Sequence, residues 1–180
     1  GALKRLNIKP TISDNPEILA KFDRLIMPGV GAFGVAMRKL REKNLDLFVK
    51  DMVKEGKNLM GICVGMQILF ERGLENGNHP GLALLSGEVV ELPDNFPTKP
   101  NMGWWSTVGN WSQFSKKLSK EDTFYFVHSF HCKLNEKIQF LNIDSEHKIV
   151  ACGKRNNIWG TQFHAEKSQE SGETFLMAFL

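Results

Sequence analysis

Cysteine is scarce: the 180 residues hold only Cys63, Cys132 and Cys152. An odd count, with no C-x-x-C pair and no signal-peptide pattern at the start, excludes a disulfide framework and points to a reducing, cytoplasmic setting. The five histidines show neither H-x-x-x-H nor mixed Cys/His ligand spacing, so no metal site is expected. No stretch reaches the ~20 apolar residues of a membrane-spanning helix, and no membrane association is expected. Charge of one sign is also lacking. Lys plus Arg number 23 against 20 Asp plus Glu, a net +3, too little to draw a nucleic acid. The densest basic cluster, Lys116, Lys117 and Lys120, reads as a solvated face. There are no repeats, linkers or low-complexity tracts. What remains is an ordinary globular text, 42% hydrophobic, of a length that fits one domain over residues 1–180 and can bury a core without staples.

The order of patterns predicts an α/β fold: an open, mixed, mostly parallel sheet flanked by helices. Ala2–Asn7 reads as the end of a helix and Lys9–Ser13 as a short strand. Asp14-Asn15-Pro16-Glu17 fits a helix start. Phe22–Met27 is an apolar strand that stops at Pro28-Gly29-Val30-Gly31. Ala32–Arg41 and Leu45–Glu55 carry apolar positions three and four apart, as helices do. Lys57–Ile62 is the next strand and Val64–Glu71 an apolar helix. Leu82–Leu92, Met102–Val108, Thr123–Phe130, Ile138–Ile143, Lys148–Gly153 and Ile158–Phe163 read as further strands. Arg155-Asn156-Asn157 reads as a hairpin tip, and Glu170–Leu180 as a closing helix.

The stretch Gly61-Ile62-Cys63-Val64-Gly65 has the G-x-nucleophile-x-G form of a strand-to-helix elbow, with Cys at its centre. Such an elbow holds its middle residue in a strained, exposed conformation, and the glycines leave room for the crossing backbone. The helix start behind Cys63 favours a thiolate, and the Val64 N–H is placed to meet an oxyanion. A small buried cysteine is the plainer reading of an isolated G-x-C-x-G, but the flanking apolar strand and helix favour a nucleophile. Cys132 and Cys152 lack that context and read as structural.

A thiol nucleophile needs a base, and the base a group that orients it. In Gln162-Phe163-His164-Ala165-Glu166-Lys167-Ser168, His164 follows an apolar strand and Glu166 stands two residues on. Together with the elbow this suggests a Cys63-His164-Glu166 triad. His128, in Tyr125-Phe126-Val127-His128-Ser129-Phe130, is the rival base.

Four blocks taken together resemble the class I (triad) glutamine amidotransferases. Within that class they are most similar to the glutaminase subunits of imidazole glycerol phosphate synthases, of histidine biosynthesis. The blocks are Pro28–Gly34, similar to an oxyanion loop; Gly61–Gln67, the elbow; Met102-Gly103-Trp104 with Tyr125–Ser129; and Gln162–Ser168. The resemblance implies a flavodoxin-like fold and hydrolysis of L-glutamine to glutamate and ammonia, with no cofactor. It assigns Cys63 as nucleophile, His164 as base and then acid, and Glu166 as its orienting carboxylate. Val64 and Val30 would form the oxyanion hole; Gly31, Gln67, His128 and Ser129 would hold glutamine. Trp104, Tyr125 and Lys167 would face a (β/α)8-barrel synthase partner in a heterodimer that receives the ammonia.

The chain departs from that pattern in three ways. Ala165 stands where proline is usual. Trp105 stands where Asn is usual, and Asn101 where His or Gln is common. The pattern's first strand and Gly-rich turn are not seen before Gly1, so about 15–25 further residues are expected upstream. Two other readings stay open: a paralogue supplying ammonia to a sugar-modifying synthetase of surface-glycan synthesis, and an inactive scaffold subunit that keeps the fold.

Overall fold

The computed structural model describes residues 1–180. The chain begins with α1 (Ala2–Arg5) and α2 (Pro16–Leu19), then β1 (Arg24–Gly29), α3 (Phe33–Glu42), α4 (Leu45–Lys54), β2 (Asn58–Cys63) and α5 (Val64–Gln67). Short bridges β3 (Arg72–Gly73) and β4 (His79–Pro80) precede β5 (Gly87–Glu91), β6 (Asn101–Val108), β7 (Thr123–His128) and β8 (Phe130–Leu134). The chain closes with β9 (Gln139–Ile143), β10 (Val150–Arg155), β11 (Ile158–Thr161) and α6 (Gln169–Phe179). No helix is long and apolar enough to cross a membrane.

Seven strands form one mixed sheet in the order β1-β2-β11-β10-β9-β6-β7, and a smaller sheet runs β4-β3-β5-β8. The α/β expectation holds, with one correction. Parallel pairing in the large sheet is confined to β1-β2 and β2-β11, whereas β11-β10, β10-β9, β9-β6 and β6-β7 are antiparallel. Parallel neighbours need long crossovers, and only the first part of the chain supplies helices for them. The β10-β11 connection is the expected hairpin tip. Arg155 pairs with Ile158, and Asn156 takes the left-handed φ of 53° that its tight turn requires.

Both faces of the central strands are covered. Gly61 of β2 is in register with Gly160 of β11, and a side chain on either would strike α5 at Gly65 or Met66. The residues before them point the opposite way, as strand alternation demands. On that side Trp159 packs edge-on to Phe114, Phe175 and Phe179 at 5.7–5.8 Å. The cluster continues through Phe163 and Phe124, stacked at 4.2 Å. Helix α6 contributes Gly172, Phe175, Leu176 and Phe179 as its buried stripe, the spacing of one helical face.

Four local expectations change. Lys9–Ser13 is not a strand: it makes no backbone-to-backbone hydrogen bond, and Ile12 is exposed. Pro10 and the lack of a neighbouring strand leave its alternation without a ladder. The helix expected over Val64–Glu71 ends at Gln67, and Leu82–Leu92 is strand only over Gly87–Glu91. One exchange accounts for both. The carbonyls of Ile68, Leu69 and Phe70 accept the N–H groups of Leu82, Leu84, Leu85 and Ala83, so neither segment completes its own regular structure. Finally, Thr123–Phe130 is two strands: the chain leaves the large sheet after His128 and enters the small one at Phe130.

Phe175 is fully buried and touches Trp111, Phe114, Trp159 and Phe163. Phe175→Ala should therefore cost about 3–5 kcal/mol. In urea unfolding it should appear as a lower midpoint with an unchanged slope.

Candidate active site

Cys63 is the last residue of β2, with φ 56° and ψ −113°. A non-glycine side chain in that region is strained, and here the strain turns the chain straight from strand into α5. The glycines around it are required by contact. A Cβ on Gly61 would overlap the Gly65 carbonyl, and one on Gly65 would overlap the Met27 carbonyl of β1. One on Gly29 would lie 2.8 Å from the Gly65 N. The elbow read from the sequence is present, with its turn packed against β1.

Cys63 opens on a cleft of about 460 Å³. Of the residues singled out from sequence, Val30, Gly31, Val64, Gln67, His128, Ser129 and His164 line it with Cys63. Its wall also contains Glu75, Pro100, Val127 and Phe130. A larger open groove of about 710 Å³ near Lys137 and Lys154 carries no nucleophile or acid–base pair. No cluster of three or more His, Cys, Asp and Glu side chains is placed to hold a metal ion.

His164 follows β11 and is nearly fully buried. Its Nδ1 lies 2.7 Å from Glu166 Oε1, and its Nε2 has no hydrogen-bond partner. The imidazole is raised to about 9, first by the Cys63 sulfur beside it and then by Glu166, against a smaller opposing effect of burial. Burial pushes the Glu166 carboxyl up, but His164 and Lys167 together hold it below the usual range. The turn carrying this pair is fastened at several points. His164 N–H donates to the Tyr125 carbonyl at 2.9 Å, and the Ser168 hydroxyl donates to the His164 carbonyl at 2.7 Å. The three sequence-selected groups thus stand in nucleophile–base–carboxylate order, and the unpartnered Nε2 is the atom available to move a proton.

His128 lines the same cleft, but both its ring nitrogens are engaged. Nε2 lies 3.0 Å from Asn101 Nδ2 and Nδ1 lies 2.9 Å from the Phe130 carbonyl. Burial drops its pKa to about 4. It is a neutral wall residue with no free nitrogen, so the rival base is disfavoured. Gln67 is buried, and its NH2 group is spent on the Phe130 carbonyl at 2.9 Å and Gln162 Oε1 at 3.0 Å. Cys132 and Cys152 are fully buried, and burial pushes both thiols well up.

Two residues escaped the sequence reading. Glu75 lies in a loop after β3 and accepts the Phe33 N–H at 2.8 Å, closing the start of α3 against the cleft. Gln162 donates to Cys63 Sγ at 3.8 Å from the end of β11. Neither sits at a recognisable spacing from Cys63; their nearness comes from tertiary packing. The Val30 side chain is 80% exposed in the Pro28–Gly31 loop, where Gly31 takes φ 95°. On the outside, Trp104 is 47% exposed and meets the Tyr125 ring edge-on at 5.7 Å, and Lys167 is exposed beside His164.

With that geometry described, comparison with known proteins is decisive. A family model for class-I glutamine amidotransferases matches residues 2–180. The chain belongs to that family. It is 40% identical over 184 residues to imidazole glycerol phosphate synthase subunit HisH of Bacillus velezensis, covering 99% of this chain and 87% of that protein. It is 42% identical over 183 residues to the subunit of the same name from Lactococcus lactis, covering 100% and 90%. Among solved structures, a glutamine amidotransferase superposes with TM-score 0.75 at 21% identity, over 99% of this chain and 90% of that one. PurLQS from Thermotoga maritima gives 0.73 at 18%, over 99% and 88%. At those identities the superpositions speak for the fold, and they match the helix-flanked mixed sheet of this amidotransferase.

Two outcomes test the site's construction. Glu166→Gln should bring the His164 pKa down from about 9 toward 6.5, followed by NMR titration of the imidazole. Because the folded value is raised, protonated His164 stabilises the fold fully below pH 6.5, and that contribution fades as pH rises through about 9. Melting curves across that window should show the fall, and it should be smaller in the variant. Gly65→Ala should destabilise by about 1–3 kcal/mol or more, since backbone must move to admit the methyl group; urea unfolding measures it.

Proposed function

We propose that this amidotransferase hydrolyses L-glutamine as the glutaminase subunit of an imidazole glycerol phosphate synthase in histidine biosynthesis. It passes ammonia to a (β/α)8-barrel cyclase partner in a heterodimer, in the cytoplasm. The observation that carries the reaction is Cys63 at its positive-φ elbow with the open Nε2 of buried His164 in the same cleft. The pathway rests on the relatives named above, about two-fifths identical over nearly the whole chain.

The cleft's geometry supports the following steps. L-glutamine enters with its ammonium toward Glu75, the one carboxylate lining the cleft, and its backbone end along Gly31, Gln67, His128 and Ser129. His164 Nε2, whose affinity for a proton the Cys63 sulfur and Glu166 raise, holds the proton that Cys63 gives up, and Sγ attacks the side-chain amide carbon. The C=O becomes a tetrahedral oxyanion, met by the Val64 N–H and, with the loop turned inward, the Val30 N–H; each such donor is worth about 10²–10³ in rate. His164 returns the proton to the nitrogen as the C–N bond breaks, releasing ammonia and leaving a γ-glutamyl thioester on Cys63. Water, activated by His164, then cleaves the C–S bond to give glutamate and the free thiol. Glu166 holds the imidazole in orientation throughout and balances its charge. The aromatic pair Trp104–Tyr125 with Lys167 forms the docking face, apolar at its centre and charged at its rim.

Cys63→Ala should lower glutamine-dependent synthesis by the complex about 10³-fold or more, while synthesis from added ammonium salts persists. Retained glutaminase activity in that variant would overturn the nucleophile assignment. Glutamine hydrolysis by the wild-type chain should be slow alone and rise on adding the cyclase with its nucleotide ligand. Full activity alone, indifferent to both, would overturn the pathway assignment.

A further inference from the structure

Asn101 has no solvent exposure, and its amide is enclosed between Trp105 and His128. Trp105 Nε1 lies 2.8 Å from Asn101 Oδ1. An indole N–H only donates, so the carbonyl end of Asn101 faces Trp105 and its NH2 end faces His128. An amide NH2 also only donates. His128 Nε2 must therefore be the bare, accepting nitrogen, and the ring proton sits on Nδ1, where it donates to the Phe130 carbonyl. That carbonyl accepts again from Gln67, whose second N–H goes to Gln162 Oε1, and Gln162 Nε2 donates to Cys63 Sγ. Reversing any one group sets two donors or two acceptors face to face, which costs more than a missing bond.

We propose that Trp105 and Asn101 are positioning residues for glutamine hydrolysis. Two hydrogen-bonded runs converge on the Phe130 carbonyl: one comes from the Trp105 indole through Asn101 and His128, the other from Gln67, whose second N–H leads through Gln162 to the Cys63 sulfur, and the Trp105–Asn101 run thereby holds the wall from which the second run reaches Cys63. The inference rests on the reading of Cys63 as the glutaminase nucleophile. The fold explains why such runs are needed. Between His128 and Phe130 the backbone passes from one sheet to the other, and at Ser129 a single backbone bond, from the Leu92 N–H to the Ser129 carbonyl at 2.9 Å, holds the cleft wall. Side chains add the remaining connections. The charged and titratable groups around His128 do not supply a competing partner. His131 and His164 are the ones that act on it, both disfavour a second cation, and the Phe126 ring packs at 5.9 Å.

Asn101→Asp is the decisive variant because it is nearly isosteric: a packing role predicts no change, whereas a carboxylate demands a proton on His128 Nε2. Asn101→His keeps one accepting and one donating nitrogen and so preserves the direction. Trp105→Phe keeps the ring beside Phe96 and removes only the N–H. Nitrogen NMR of His128 reads the tautomer, and mass spectrometry follows labelling of Cys63 by a diazoketone analogue of L-glutamine, with iodoacetamide as the undirected control. All are measured below each variant's melting point. Wild type should show the Nδ1–H tautomer alone. Trp105→Phe should leave the Nδ1–H tautomer, which the Phe130 carbonyl still demands, but loosen Asn101 and slow directed labelling about three- to tenfold, the range of one net hydrogen bond. Asn101→Asp should protonate Nε2 and slow labelling more than about tenfold, and Asn101→His should recover to within about threefold of wild type. Wild-type labelling rates in Asn101→Asp, or a wild-type His128 carrying its proton on Nε2, would overturn the proposal. If the analogue fails to label the wild-type thiol faster than iodoacetamide does, the glutamine reading falls instead, and the His128 tautomers in wild type and Asn101→Asp still decide whether Asn101 donates to His128.

Discussion

The carbonyl of Met27 occupies the space a side chain on Gly65 would need, and the Gly65 carbonyl does the same to Gly61. Three backbone segments, β1, β2 and the start of α5, therefore cross with nothing but glycine between them. This contact fixes where Cys63 can be. With β2 pinned against β1 and α5 pressed onto both, the strand turns within one residue, and that residue takes φ 56°. The strain is tolerated because β2 is buried on both sides from Leu59 onward and paired along both edges. A looser crossing would let the turn relax and the sulfur swing away from His164.

The second half of the site comes from the other end of the chain. β11 runs parallel to β2 and directly beside it, so the residues that follow each strand emerge at the same end of the sheet. That adjacency, set by register, is what brings His164 to Cys63 across a hundred residues of sequence. The electrostatics follow from placement. His164 is buried but sits between two groups that favour its charged form, so its pKa rises. His128, buried to a similar degree, faces only an amide, a carbonyl and other imidazoles, so its pKa falls. Two histidines lining one cleft are thereby divided into one that can exchange a proton and one that serves as wall.

How much of this was legible beforehand depended on the range of the interactions involved. The elbow was readable because its chemistry is local: a nucleophile between two glycines, after an apolar strand. His164 with Glu166 was readable for the same reason, being two residues apart on one turn. The hairpin at Asn156 and the start of α2 at Asn15, whose side chain accepts the Glu17 N–H, also follow from neighbours in sequence. The failures all involve long-range pairing. Lys9–Ser13 has strand-like text but no partner. Ile68–Phe70 and Leu82–Leu85 each looked regular, and each spends its backbone on the other. Glu75 reaches the cleft, and Gln162 the Cys63 sulfur beneath it, through packing that no spacing announces. The excess of antiparallel pairs belongs with these: apolar alternation marks a strand but is silent on its neighbour's direction.

The replacement at position 165 shows how the structure absorbs a departure from the pattern it resembles. A proline there would restrict the preceding residue to extended backbone. His164 adopts that conformation without it, at φ −82° and ψ 93°. The restraint comes from hydrogen bonds on both sides of the residue. Its N–H is held by Tyr125, and its carbonyl accepts from both Lys167 N at 3.0 Å and the Ser168 hydroxyl. Ser168 also takes the Tyr125 N–H, so the turn and strand β7 are tied at two points. Gly172 closes the other side, since a side chain there would overlap the Ala165 carbonyl and push α6 off the turn. The small, buried Ala165 keeps that approach open while three bonds do what ring closure would otherwise do. The geometry that matters for proton transfer, His164 aligned on Glu166, is therefore set by the fit of the turn between β7 and α6 and not by the identity of residue 165 alone.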